Sequence, residues 1–283
     1  MGNIRDLKRR IESVTSTRQI TNAMKMVAAS KLRKAQEKIL VARPYADHIQ
    51  NMIEIIKKRN KQVIHPFFAP KNPNGKTALV IVNADRGLCG SFNSEVIRKA
   101  EAMLTEKNKY DIICVGKRGY DQIKKHHKIL KEFVGFFNEM NFSISKDISA
   151  LLLDLYLYKN YSSVKILYNE FISVVQQDLV IKNILPISIK EHKDIPTVDF
   201  LYEPNEEVII QELGLKYLSV EIWRILLESS AAEQAARMTA MDNATENANE
   251  MIGSLSLQYN RERQAAITNE ILEIVAGSEA ING

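Results

Sequence analysis

No proline follows Pro204 in this 283-residue chain, and between Asn205 and about Ala276 only Gly214 and Gly253 interrupt a run of residues that tolerate a helix. With no breaker and no turn cluster, the stretch is predicted as one helix. At 1.5 Å per residue it would reach roughly 100 Å, too long to fold back onto a core of its own. Cysteine is nearly as scarce. Cys89 and Cys114 sit in no CxxC and near no histidine cluster, which argues against a disulfide framework or a metal site and for a reducing compartment. No run of eighteen or more apolar residues exists, so no membrane-spanning helix is expected. The opening MGNIRDLKRRIESV mixes charge with apolar positions and lacks the apolar centre of a signal peptide.

A further gap lies inside the long C-terminal run. From Ser229 to Glu250 there is no Leu, Ile, Val or Phe; seven alanines, two methionines and scattered Asn, Thr and Glu stand there instead. Small side chains let helix backbones approach closely but bury little apolar area. Such a helix is either exposed at mid-length or runs through another protein. On both sides of the gap helical periodicity holds, through Leu215, Leu218, Ile222 and Ile225 before it and Leu255, Tyr259, Ile267, Ile271 and Ile274 after it.

What is present divides the chain in three. Composition is that of an ordinary globular protein, 45% apolar and 26% charged. The net charge of +5 conceals a polarity: residues 1–61 carry 15 Lys and Arg against 5 Asp and Glu, whereas residues 205–283 carry 5 against 13. Arms of opposite sign attract each other when packed side by side. The N-terminal arm, residues 1–61, reads as a coiled-coil helix through Ile4, Leu7, Ile11 and Val14. The seam then meets polar Arg18, Thr21 and Lys25 and resumes at Ala28, Leu32, Ala35, Ile39 and Ala42. Ile20, Met24 and Val27 beside the polar slots suggest that the apolar stripe shifts there. Pro44 is predicted to kink or end the helix, with periodicity resuming at Ile49, Ile53 and Ile56.

Residues 62–204 follow another pattern. Thr77 to Ala84 and Tyr110 to Gly116 read as buried strands, each followed by a helix (Ser91 to Lys107; Arg118 to His127). A third helix, capped by Ser145, is predicted to run to Lys159, and two β-rich stretches follow, Ser163 to Val175 and Leu179 to Ile189. This alternation predicts an α/β domain with a largely parallel sheet, inserted between the two helical arms (residues 1–61 and 205–283).

The one motif that invites a chemical reading is DRGLCGSFN, Asp85 to Asn93, between the first strand and its helix. A glycine-rich turn before a helix can bind phosphate. Here there is a single GxxG and no Walker lysine, and the acidic residues about twenty positions on, Glu106 and Asp111, are of common kinds. The plainer reading is a tight turn in which Asp85, Arg86, Gly87 and Gly90 serve the backbone and Ser91 or Asn93 caps the helix. No nucleophile, base and orienting acid can be assembled. His126 and His127 lie in a basic surface stretch, and Trp223 reads as a core or helix contact.

Four stretches together resemble the gamma subunit of F-type ATP synthases: Ile20 to Gln36 (ITNAMKMVAASKLRKAQ), DRGLCGSFN, Ala231 to Ala248 (AAEQAARMTAMDNATENA) and Tyr259 to Gly277 (YNRERQAAITNEILEIVAG). The likeness covers essentially the whole chain. It departs at Asn83-Ala84, where the family usually has Ser or Thr before Asp85, and it lacks the cysteine-bearing insertion of plastid members. The resemblance implies an antiparallel coiled coil of the two arms carrying a Rossmann-like α/β domain. That coil would be a rotor shaft, one copy per complex, in the bore of a ring of three alpha and three beta subunits, with an epsilon subunit and the membrane c ring below. Such a subunit is not an enzyme by itself and binds no cofactor; ATP, ADP and magnesium belong to alpha and beta. The resemblance further implies contacts with beta-subunit loops through Arg237, Arg263 and Gln264, assisted by Thr268, Glu270, Met24 and Lys25. It implies a place on the cytoplasmic face of a bacterial inner membrane, with a proton or sodium ion as coupling ion. Two readings from the residues alone stand beside it. One is a nucleic-acid binder using Arg5, Lys8, Arg9 and Arg10; the other is a Rossmann-like enzyme binding a nucleotide at Gly87 to Gly90.

Overall fold

A computed structural model describes residues 2–59, 65–70, 72–105, 109–188, 203 and 205–282. In order the elements are helix α1 (Gly2–Arg59), strand β1 (Thr77–Val82), helix α2 (Phe92–Met103), strand β2 (Tyr110–Val115), helix α3 (Lys117–Ile123), strand β3 (Ile129–Phe133), helix α4 (Phe142–Tyr158), strands β4 (Ser163–Phe171) and β5 (Gln177–Leu185), and helix α5 (Glu206–Asn282). The chain forms two compact units: residues 1–28 with 238–283, and residues 29–237. These divide both long helices, whereas the three-part division expected from sequence followed the ends of the elements.

In the larger unit a five-stranded sheet has the order β3-β2-β1-β4-β5. β1 pairs in parallel with β2 (Thr77 opposite Tyr110) and with β4 (Thr77 opposite Ser163), β2 with β3 in parallel, and β4 with β5 antiparallel. The sheet is therefore largely parallel, with an antiparallel edge strand. Every residue of β1 is buried, and alternate side chains feed two cores. Ala78, Val80 and Val82 join a core with Ala46, Ile49, Ile53 and Ile56 of α1, Ile148 and Leu152 of α4, and Leu218, Ile222 and Ile225 of α5. Leu79 and Ile81 face Val96 and Ala100 of α2 and Ile123 of α3. This is the covering of both faces that parallel strands require.

Three local expectations change. α1 does not end or break at Pro44. The missing N–H costs about 3 kcal/mol, but burying each isoleucine contributes roughly 1.5–3 kcal/mol, and Ile49, Ile53 and Ile56 all follow the proline on the core face. α4 begins earlier than expected: Asn141 accepts the capping bond from the Ile144 N–H at 3.3 Å, and Ser145 lies buried within the helix. Neither Ser91 nor Asn93 caps α2 through its side chain. Of the predicted segments, Lys107 and Ile189 lie outside the described residues.

In the smaller unit the two helices run antiparallel. Arg18 Nη1 donates to Asn249 Oδ1 at 3.2 Å, the hydroxyls of Thr21 and Thr245 share a hydrogen bond of 2.8 Å, and Lys25 Nζ pairs with Asp242 Oδ1 at 2.6 Å. The three polar slots of the α1 seam thus meet polar partners one by one. The apolar stripe does not shift beside them, since Ile20 and Val27 are both exposed. Leu7, Ala28, Met241 and Ala248 supply the buried apolar positions of this pair.

Candidate functional site

The turn between β1 and α2 is built around two left-handed residues, Leu88 (φ 63°) and Gly90 (φ 58°). A β-carbon on Gly87 would stand 3.1 Å from the Arg118 guanidinium. Asn93 folds back over the turn: its Oδ1 accepts from the Ala84 N–H at 3.0 Å, and its Nδ2 donates to the Arg86 carbonyl at 3.3 Å and to Cys89 Sγ at 3.2 Å. The residue that sequence offered as a helix cap is instead the brace of the turn.

Asp85 links three segments. Its Oδ1 accepts from the Lys117 N–H at 2.9 Å and the Gly135 N–H at 3.0 Å, and its Oδ2 accepts from the Phe137 N–H at 3.4 Å. A carboxylate of the chain itself therefore occupies the positive start of α3, where an external anion could otherwise settle. Of the two acidic residues that a dinucleotide site could have used for a ribose, Asp111 instead accepts from Lys76 and the Tyr161 hydroxyl, and Glu106 lies outside the described residues.

The turn presents a carbonyl to a cation. Arg237 of α5 donates from Nη2 to the Gly87 carbonyl at 3.2 Å and pairs through Nη1 with Glu233 Oε1 at 2.6 Å. Arg237 is only 9% exposed, so the residue expected to face a partner is turned inward onto the motif. Burial pushes the Glu233 carboxyl above its usual range, with Arg237 opposing. Burial likewise pushes up the Cys89 thiol, again against Arg237.

The other expected contact residues are scattered along the smaller unit. Arg263, Gln264, Thr268 and Glu270 are exposed on α5, and the Thr268 hydroxyl donates back to the Gln264 carbonyl at 2.9 Å. Met24 is half-buried, and Lys25 is engaged with Asp242. Each pair across the two helices has residue numbers summing to about 267, which sets Gly2, the first described residue of α1, opposite about residue 265. Beyond that point no described residue of α1 stands opposite α5 by this register, and Ile267, Ile271, Leu272, Ile274 and Val275 are all exposed.

Sequence reasoning missed an ionic cluster in the larger unit, formed by Arg43, Lys182, Glu221, Arg224 and Glu228. Charges at i, i+3 and i+7 within an otherwise apolar part of α5 were the available signal. No group of three or more metal-ligating side chains occurs among the described residues, and no described helix is long and apolar enough to cross a membrane.

Two long helices at either end of the chain and a largely parallel five-stranded sheet between them in sequence, with a glycine-rich turn filled by the chain's own groups, define the class: a long-helix protein carrying an α/β segment. Comparison with known proteins places it further. The sequence model of the ATP synthase family matches residues 3–281. The ATP synthase gamma chain of Chloroherpeton thalassium is 41% identical over 300 residues, covering 99% of each chain. That of Geotalea uraniireducens is 42% identical over the full length of both. Among solved structures, a Tetrahymena thermophila mitochondrial ATP synthase central stalk with its c ring includes a chain matching with TM-score 0.62 and 26% identity, over 80% of this chain and 99% of that one. A chain of the Euglena gracilis mitochondrial ATP synthase matches in fold with TM-score 0.69 at 19% identity, over 99% of this chain and 95% of that one. The chain belongs to the ATP synthase gamma-chain family.

Proposed function

We infer that this chain is the rotor subunit of an F-type ATP synthase, a shaft that does no chemistry and biases the catalytic sites of its partners. The observation that carries the reading is the end of α5, where a helix lacking an α1 partner exposes Ile267, Ile271, Leu272, Ile274 and Val275 beside Arg263 and Gln264. A contiguous exposed apolar helix flank marks an interaction surface, and a ring of three alpha and three beta subunits would supply its sleeve. Arg263, Gln264, Thr268 and Glu270 then meet loops of beta: a guanidinium offers five donors in a fixed fork, and Gln adds a donor and an acceptor. A ligand or partner shifts an equilibrium only by binding its states unequally. An asymmetric helix pair does this by turning a different flank to each beta subunit.

The remaining parts of the reading follow from the family. The epsilon subunit and the membrane c ring are the partners of the α/β segment, on the cytoplasmic face of a bacterial inner membrane. The coupling ion is a proton or a sodium ion. ATP, ADP and magnesium are bound by alpha and beta, not by this chain. Among the expected beta contacts, Arg237 and Lys25 already have partners within the chain, so Arg263 and Gln264 carry the assignment.

Affinity purification of the tagged chain from its host tests the reading. The expected eluate contains alpha, beta and epsilon and hydrolyses ATP. In the same complex Arg263→Ala with Gln264→Ala is expected to lower turnover about tenfold, as loss of charge-assisted contacts does, while the complex stays assembled. The chain recovered alone or with nucleic acid would sink the rotor reading; unchanged turnover would sink only the contact assignment.

A further inference from the structure

Between residues 221 and 228, α5 carries three ionic groups on a face packed against other elements. Glu221 accepts from Lys182 of β5 and from Arg224, whose Nη2 stands 2.6 Å and whose Nε stands 3.1 Å from its carboxylate. Arg224 Nη1 also lies 3.6 Å from Glu228 Oε1, and Arg43 of α1 reaches the same oxygen at 3.4 Å. The side chains of Glu221 and Glu228 are 3% and 0% exposed, and Arg224 is 16% exposed. One continuous network therefore joins the edge strand of the sheet, α5 and α1.

Stability does not account for such a network. The desolvation of buried charges commonly cancels their attraction, and apolar replacements of similar volume are often neutral. What a buried ionic network does supply is direction. The core beneath it, with Ile222, Ile225 and Leu226 of α5 against the sheet and α1, is held by a force proportional to area and indifferent to orientation. Helices packed only in this way can roll or slide by a ridge. Glu221, held at once from β5 and from its own helix, cannot follow such a movement without losing a partner.

We propose that the network Lys182–Glu221–Arg224–Glu228–Arg43 is the torque joint of the rotor, keying α5 to the sheet and to α1 so that rotation passes between them without slip. This rests on the rotor reading above. Lys182 and Arg43 are the positioning residues to test, since each lies at the rim, with side chains 29% and 44% exposed. Removing either leaves Glu221 and Glu228 still facing Arg224, so the fold survives.

The experiment uses the complete synthase in sealed vesicles with Lys182→Met, Arg43→Met and the double variant. It measures ATP hydrolysis per assembled complex and ions pumped per ATP hydrolysed. Hydrolysis is expected within about twofold of wild type, while pumping per ATP falls by at least about threefold in the double variant and less in each single one. Lys182→Arg should restore it. An unchanged pumping ratio in the double variant, or a fall in hydrolysis with the ratio intact, overturns the proposal, because a merely structural role would change the amount of active complex and not the ratio. Failure of all three variants to assemble overturns it as well, since the joint would then be needed for folding. Wild-type vesicles that hydrolyse ATP without pumping would instead overturn the rotor reading itself.

Discussion

Glu221 and Glu228 lie two turns apart on one helix, and their carboxyls are shifted in opposite directions from the ordinary range. Burial raises the Glu228 carboxyl above the ordinary carboxylate range, with Arg224 and Arg43 opposing and Glu170 and Glu221 adding to it. Burial also acts on Glu221, but hydrogen bonds and charge from Arg224 and Lys182 overcome it and hold that carboxyl below the usual range. The consequences for stability differ in sign. Glu221 contributes stability that is present above its unfolded value and lost as pH falls through the lowered folded one. Glu228 binds its proton more tightly when folded, so its contribution is present in acid and lost as pH rises through the raised folded value. Glu228→Gln is therefore expected to lose less stability than wild type as pH rises through and above the ordinary carboxylate range. Thermal unfolding of the chain across that range checks this, and parallel curves for the two proteins would contradict it. The thiols give a simpler test. Burial pushes Cys114 up to about 12, with Glu132 adding, and raises Cys89 against Arg237. Neither should react with a thiol reagent at pH 8 in the folded chain, and both should react once it is unfolded. Of these residues, sequence pointed to Asp85, Gly87 and Gly90 as parts of a turn. It could not show that Asp85 ties down the Lys117, Gly135 and Phe137 amides, because those partners are far away in sequence. Nor could it show the intrachain partner of Arg237, a carbonyl 150 positions earlier.

At the scale of elements, periodicity was the reliable guide. The strands β1 and β2 and the two long helices stand where the apolar pattern put them, because a buried strand or an amphipathic helix is dictated by its own side chains. Pro44 does not end the helix, because the local rule against a helical proline ignores the core that continues past it. Pro44→Ala restores an N–H to the middle of α1 and is expected to stabilise the chain by about 2 kcal/mol, most of the proline penalty less the entropy given back to the unfolded chain. Denaturant unfolding measures this. Gly90→Ala should act the other way and cost about 1 kcal/mol, since its φ of 58° lies in the left-handed region. Gly214 is needed for a different reason: a β-carbon there would stand 2.2 Å from the ring of Phe67. The polar slots at Arg18, Thr21 and Lys25 were visible in the sequence, but not their partners. Those partners make the slots a register device rather than a weakness. Thr21→Cys with Thr245→Cys should form a disulfide on mild oxidation, whereas Thr21→Cys with Ile252→Cys, one heptad away, should not. The reverse result would mean that the helices are paired in another register.

At the scale of the whole molecule, the absence of large apolar side chains from Ser229 to Glu250 has two explanations in the fold. Ala231, Ala232 and Ala235 are buried in the larger unit, whereas Asp242 and Thr245 serve the polar register of the smaller one. The chain thus spends its apolar residues on two cores around the sheet and on a final stretch of α5 that its own helices do not cover. That distribution suits a subunit whose end belongs in someone else's bore. The motifs that carried the family resemblance were long enough to be read directly, but the ionic network across β5, α5 and α1 was not. Its members are common residues that become a site only when the sheet edge and both helices are assembled.

The most direct test of the rotor reading is single-molecule rotation. Alpha and beta subunits are assembled with this chain, the ring is fixed to a surface, and a probe is attached to the α/β segment through an exposed position such as Lys125. On addition of ATP the probe should turn in one direction, in steps that recur three times per revolution, in keeping with three beta subunits. A complex that hydrolyses ATP while the probe stays still or only jitters would contradict the account.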